Sequence, residues 1–213
     1  MDITWYGHSC FRIVERGQTT VVTDPFSEGI GLPVPRLKGD VVTVSHNTPG
    51  HNNVEAVKGY AYALGGPGEY EIGGVFITGI AMHYIYNDHA RQNVAYLMDY
   101  NGLTILHLGD LAYIPNQSTI QELGEVTVAL VPVGGGNSLR ANQAAEVIAL
   151  IEPSYIVPMH YALPGLAVEL DPVDKFLTAM GVSKVLEDDV LKVSSVLPEQ
   201  PQVVVLRPNI NVE

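Results

Sequence analysis

The sequence has a single cysteine, Cys10, so no disulfide can form within the chain, and neither a cysteine-based zinc finger nor an iron–sulfur centre can be built from it. A reducing compartment is the simpler setting. Basic residues are also scarce. Against 23 Asp+Glu there are 11 Lys+Arg, for a formal net charge of -12, and no basic stripe is present to neutralise a phosphate backbone, which argues against nucleic acid as a partner. No apolar run reaches the roughly 20 residues a bilayer span needs. Met1 leads straight into a strand-like segment rather than a basic and then apolar leader. The expected setting is cytoplasmic, away from membranes.

What the chain does have is 46% hydrophobic residues, 21 Gly and 14 Pro, a mixture suited to many strands and tight turns in a folded chain. Its length fits one domain, 1–213, with one buried core. Short β-branched and aromatic segments open it at 3–6, 11–14 and 19–23, and Val41-Val42-Thr43-Val44 reads as a strand covered on both faces. Strands follow at 69–72 and 75–80, then at 94–100 and 103–108, the last two joined by Asn101-Gly102, a strong hairpin signal. A short helix is expected over 117–123, stopped by Gly124, and a buried strand over 126–133. A second helix is expected over 141–151, with an apolar stripe at 141, 144, 145, 148 and 151, and a last one over 173–180. Strand-loop-strand units around Asp24 and His46 recur around Asp110 and Gly134. Two β-rich halves with helices outside predict an α+β fold, a four-layer αββα sandwich.

Seven histidines are present, and their places matter more than their number. His46, His51, His83, Asp110 and His160 all follow expected strands, where a sheet can aim several side chains at one point. Neutral imidazoles with one carboxylate suit Zn²⁺ and also accept Mn²⁺ or Fe²⁺. His8 and His107 read instead as structural histidines, and Cys10 as a small buried side chain. His89 competes with His83 for the same role. The glycine clusters 65–68 and 134–136 lack the Lys-Ser/Thr of a phosphate loop and read as turns.

Gly7-His8-Ser9-Cys10-Phe11, Thr23-Asp24-Pro25-Phe26, Ser45-His46 through His51-Asn52, His107-Leu108-Gly109-Asp110-Leu111, Val131-Pro132-Val133-Gly134-Gly135 and Ile156-Val157-Pro158-Met159-His160-Tyr161 stand in the order of the landmarks of the metallo-β-lactamase-fold hydrolases. The chain resembles that superfamily over nearly its whole length, and most of all its small bacterial zinc-dependent branch. The superfamily signature is His-x-His-x-Asp-His, and here the stretch is His46-Asn47-Thr48-Pro49-Gly50-His51, so Thr48 and Gly50 stand where two ligands are expected. The resemblance implies His46, His83 and Asp110 for one metal and His51, Asp110 and His160 for another. With one carboxylate left to offset two dications about 4 Å apart, one metal or none is the better electrostatic expectation.

The resemblance also implies that Asp24 braces the histidine loop, and that the aspartate missing at Gly50 would have oriented the attacking water. Asp110, or an imidazole freed from ligation, must then take the proton, and Tyr161 is placed to donate to an oxyanion. Two readings of function follow. One is a metal-dependent hydrolase of a small ester, lactone, amide or phosphoester, using metal-bound water. The other is a non-catalytic binding or assembly protein on the same fold. A redox di-iron protein is a third and weaker reading, because lost ligands make a two-iron centre harder to hold. A second copy of the chain could pair through a sheet edge, but nothing in the sequence locates such an interface.

Overall fold

A computed structural model describes residues 1–86, 89–183 and 185–210. Two mixed sheets face one another. The first runs, edge to edge, Val190–Lys192, Asp2–Trp5, Phe11–Val14, Val21–Thr23, Val41–Thr43 and Tyr62–Leu64. The second runs Leu186–Asp188, Gln202–Leu206, Tyr155–Met159, Val128–Pro132, Leu103–His107, Val94–Tyr100, Val75–Ala81 and Gly68–Ile72. This is the layered αββα sandwich that the β-rich halves predict.

Side-chain alternation explains how the first sheet is buried on both faces. Val21 and Val41 join Ile3, Trp5, Phe11 and Ile13 in the core shared with Ile77, Tyr96, Met98 and Ile105 of the second sheet. Their neighbours Val22 and Val42 point the other way, into a smaller core with Phe26, Ile30, Leu32, Leu37 and Val57. Each such buried valine or isoleucine contributes about 1.5–3 kcal/mol, which is why a near-continuous apolar run serves here where an alternating one would not. Two tyrosines tie the sheets together: the Tyr96 hydroxyl donates to the Leu64 carbonyl at 2.8 Å and that of Tyr100 to the Thr19 carbonyl at 3.1 Å.

Local signals act as their chemistry requires. Asn101 and Gly102 take φ of 56° and 88°, the positive values that the hairpin between Val94–Tyr100 and Leu103–His107 needs. Asn116 caps the helix Gln117–Leu123 by accepting from the Thr119 amide, and Gly124 ends it at φ 64°. The helix Ala141–Ile151 buries Ala141, Ala144, Val147, Ile148 and Ile151. Val147 thus takes the place in the stripe that the spacing gives to Ala145, because the larger side chain gains more from burial. The third helix, Val173–Ala179, packs against it.

Strand direction places the functional loops. Val21–Thr23, Val41–Thr43 and Tyr62–Leu64 are mutually parallel, as are Leu103–His107, Val128–Pro132 and Tyr155–Met159 in the other sheet. Register puts Thr23 beside Thr43 and Pro132 beside Met159. The residues just after these strands, Asp24, Ser45 to His51, Asp110, Gly134 and His160, therefore emerge together at the carboxyl ends, where open sheets with parallel strands commonly hold ligands. Links between the sheets close this end: the Val94 amide donates to the Ser45 carbonyl at 2.9 Å and the His160 amide to the His8 carbonyl at 3.0 Å.

Candidate metal centre

Asp110 is the hub of the site. Its Oδ2 lies 3.5 Å from His46 Nε2 and 3.4 Å from His51 Nε2, and its Oδ1 lies 3.2 Å from His160 Nε2. Four residues from three separate loops thus converge, as their strand-end positions predict. The loop carrying Asp110 is held by Asn93, whose Oδ1 accepts from the Asp110 amide at 2.9 Å and whose amide group donates to the Leu108 carbonyl at 3.0 Å. Gly109, at φ 57°, lets this loop approach Ser45: a Cβ there would come within 2.6 Å of Ser45 Cβ.

The outer nitrogen of each imidazole is spoken for. His51 Nδ1 donates to Asp24 Oδ2 at 2.8 Å. The Ser45 hydroxyl donates to the same Asp24 oxygen at 2.6 Å, so its own oxygen receives the proton of His46 Nδ1, 3.1 Å away. The Ser138 hydroxyl donates to the Gly135 carbonyl at 2.9 Å and likewise receives from His160 Nδ1 at 3.2 Å. This assignment leaves the Nε2 atoms of His46 and His160 unprotonated. For His46 that lone pair accepts from the Thr48 hydroxyl at 3.1 Å. For His160 it faces Asp110 Oδ1, which is buried and has no hydrogen-bond partner.

Two acceptors 3.2 Å apart with no proton between them repel, and the natural remedy is a cation shared by both. The donor set therefore fits a divalent metal. His8, His51 and His160 each offer a ring nitrogen within 4.8 Å of the others', and His46, His51 and Asp110 form a second such group.

Electrostatics place one positive charge in the metal-free cluster, a proton on His51 that a bound metal would have to displace. Burial alone would raise the Asp110 carboxyl, but His160, His51 and His46 hold it well below the usual carboxylate range. Burial would likewise raise Asp24, yet His107, His51 and Ser45 pull it down. For His51 burial alone would lower the pKa, and the carboxylates of Asp110 and Asp24 on either side push it up to about 10 instead. Burial keeps His8, His46, His107 and His160 below the ordinary histidine value, and so neutral.

The other expected residues lie elsewhere. His83 is exposed, with Nδ1 accepting a long 3.4 Å bond from the Asn93 amide, and belongs to neither group of converging ligand atoms. The side chain of His89, its competitor, lies outside the described residues. Tyr161 is packed into the core, its ring 5.1 Å from that of Trp5. His107 is a structural histidine, Nε2 pairing with the Ser9 carbonyl at 2.9 Å and Nδ1 accepting from the Gly109 amide at 3.2 Å. His8, read from sequence as structural too, instead stands in the cluster, its ring 4.3 Å from that of His160 and 4.8 Å from that of His51. A signal for it exists in the sequence: it follows the strand Asp2–Trp5 as the other residues of the cluster follow theirs.

A pocket of about 310 Å³ opens beside His46, lined by Val44, Ser45, Asn47, Asn52, Ala63, Gly65, Gln92 and Val94. Among the described residues no helix is long and apolar enough to cross a membrane.

Residues 2–160 match the family model of the β-lactamase superfamily domain. A UPF0173 metal-dependent hydrolase of Thermoplasma acidophilum is 30% identical over 190 residues, covering 76% of this chain and 83% of the relative. A UPF0173 protein of Pyrococcus furiosus is 28% identical over 193 residues, covering 81% and 87%. A Thermotoga maritima crystal structure assigned to the zinc-dependent hydrolases of the metallo-β-lactamase superfamily superposes with a TM-score of 0.79 at 33% identity, covering 96% of this chain and 97% of that one. Likeness of that extent in both sequence and fold makes this chain a member of the metallo-β-lactamase superfamily.

Proposed function

We propose that the protein is a metal-dependent hydrolase of a small uncharged carbonyl compound, an ester, lactone or amide, with one divalent cation at the histidine cluster and zinc the best match to its donors. One observation carries this reading. The buried Asp110 Oδ1, without a hydrogen bond, faces the lone pair of His160 Nε2 at 3.2 Å, an arrangement that a shared cation relieves. The relatives of Thermoplasma acidophilum and Thermotoga maritima, both described as metal-dependent hydrolases, point the same way.

A bound dication supplies Lewis-acid polarisation of a carbonyl and lowers the pKa of water at the site. His51, His160 and Asp110 would hold it. His46 has a different place: it lines the pocket, and its Nε2, 3.5 Å from Asp110 Oδ2, also carries the Thr48 hydroxyl. With no carboxylate at Gly50, His46 Nε2 is the neutral base at the pocket wall, and it accepts the proton once the Thr48 hydroxyl turns away from its lone pair. Apart from His46 the lining residues carry no titratable side chain. Asn47, Asn52 and Gln92 offer neutral hydrogen bonds, which suit a carbonyl substrate better than a phosphoester.

The test is a panel of esters, lactones, amides and phosphodiesters, assayed with chelated protein before and after Zn²⁺, Mn²⁺ or Fe²⁺ is restored. Turnover of carbonyl compounds only with metal is expected. Turnover undiminished in chelator would sink the reading. A second reading, a metal-binding protein without catalysis, is favoured by Gly50 and by the Thr48 hydroxyl that satisfies His46 without a metal. Tight metal binding with no turnover of any class would support it instead.

A further inference from the structure

The loss at Gly50 and the placement of His8 are two sides of one arrangement. A Cβ at position 50 would lie 3.0 Å from His8 Nε2 and 3.4 Å from its Cδ2. The imidazole of His8 thus fills the space that a side chain at 50 would occupy. It is 3% exposed.

Its backbone is held from two sides. The His8 carbonyl accepts from the Trp5 indole at 3.1 Å and from the His160 amide at 3.0 Å. The residue sits at φ 50°, directly after Gly7 at φ 99°. A non-glycine residue in that region costs energy, and such strain is kept where the surroundings require the position.

The comparison with His107 separates a structural role from a ligating one. Both rings are buried at this end of the sandwich. His107 satisfies both nitrogens with backbone partners. His8 leaves Nδ1 buried with no hydrogen-bond partner, while a ring nitrogen lies within 4.8 Å of those of His51 and His160. A buried unpaired nitrogen is costly unless something absent from the polypeptide satisfies it.

The other half of the family's two-metal arrangement keeps His46 within reach of His51 and Asp110, but it lacks the ligand expected at Thr48 and the one expected from His83. His46 Nε2 carries the Thr48 hydroxyl, and His83 is exposed and outside the cluster.

Resting on the reading that the cluster holds a metal, we propose that His8 takes the place of the acidic ligand absent at Gly50, so that the protein holds a single divalent metal between His8, His51, His160 and Asp110. Three imidazoles and one carboxylate suit Zn²⁺ or Co²⁺ better than Mg²⁺ or Ca²⁺.

The experiment is Co²⁺ and Zn²⁺ titration of chelated full-length protein, with affinity from chelator competition and the number of bound imidazoles from X-ray absorption. The wild type is expected to take one equivalent with three imidazoles. His46→Ala keeps that count at three. His8→Ala lowers it to two and weakens binding by at least about 100-fold, the upper end of what losing an outer partner does. His8→Ala/Gly50→Asp, which moves the ligand back across the same gap, recovers most of the affinity. Melting curves in chelator establish that each variant folds, and the wild-type spectrum stands should His8→Ala not. A wild type that binds no metal would overturn both this proposal and the hydrolase reading. A His8→Ala protein that keeps wild-type affinity and spectrum, or a three-imidazole count that His46→Ala lowers, would overturn only the assignment of His8.

Discussion

Asp24, whose own backbone sits at φ 39°, receives His51 Nδ1 on its Oδ2 at 2.8 Å, and the same carboxylate takes the Ser45 amide at 2.7 Å and the Ser45 hydroxyl at 2.6 Å. One fully buried carboxylate therefore fixes the ring of His51 directly and that of His46 through Ser45. Replacing Asp24 by Asn keeps the size but removes the charge and one acceptor. Metal affinity should fall roughly 10–100-fold. Asp24→Ala, which leaves the buried donors of His51 and Ser45 unpaired, should also cost about 3–5 kcal/mol of stability. Chelator competition and denaturant melts measure the two effects, and an Asp24→Asn protein with unchanged affinity would mean that the ring orientation does not matter to the metal.

The division of labour among the histidines is open to direct separation. His51→Ala and His160→Ala should each lose most bound metal, because their Nε2 atoms face Asp110 from opposite oxygens. His46→Ala should keep the metal near one equivalent while turnover drops by about 100-fold or more, the scale of a lost general base. Elemental analysis beside a rate measurement on each variant decides it. Loss of metal in His46→Ala would return His46 to the ligand set.

Much of this site is legible in the sequence because strand ends are legible. Apolar runs followed by Asp24, His46, Asp110 and His160 mark positions that parallel register then brings together. What sequence does not carry is the partner of each ring nitrogen. His8 and His107 look alike as strand-end or strand histidines, and only the orphaned Nδ1 of one and the two backbone partners of the other tell them apart. His83 shows the converse: it follows Val75–Ala81 as a ligand might, yet stays exposed. The fold is read well where burial is local, as in the Asn101-Gly102 hairpin. It is read poorly at Leu186–Asp188, Val190–Lys192 and Gln202–Leu206, short strands, the first of them exposed, that owe their form to sheet edges laid down by distant residues.

Stability of the metal-free protein should depend on pH in two opposite ways. His8, His46, His107 and His160 have folded pKa values below the ordinary 6.5. Their neutral packing stabilises fully above that value and is lost as pH falls and the unfolded chain binds protons first. His51, raised to about 10, contributes stability that is complete below 6.5 and is lost as pH rises toward 10. The melting temperature in chelator should therefore peak near pH 6.5 and fall on both sides. A flat profile from about pH 5 to 9 would show that these imidazoles titrate alike in folded and unfolded chains.

Restoring the superfamily signature requires more than filling its two gaps. Thr48→His/Gly50→Asp would rebuild His-x-His-x-Asp-His, but the Cβ of the introduced aspartate would press on His8 Nε2 at 3.0 Å, an overpacking that costs about 1–3 kcal/mol. The new carboxylate could then reach the metal only by displacing an imidazole already buried there. Adding His8→Ala removes that conflict. The triple variant should therefore take up a second metal equivalent, with His46 released from the Thr48 hydroxyl to join the new histidine and Asp110, while the double variant stays near one equivalent and melts lower than the wild type. Elemental analysis of the two proteins side by side is the measurement. A double variant that binds two metals with His8 still in place would show that the space beside Gly50 is larger than the 3.0 Å approach implies.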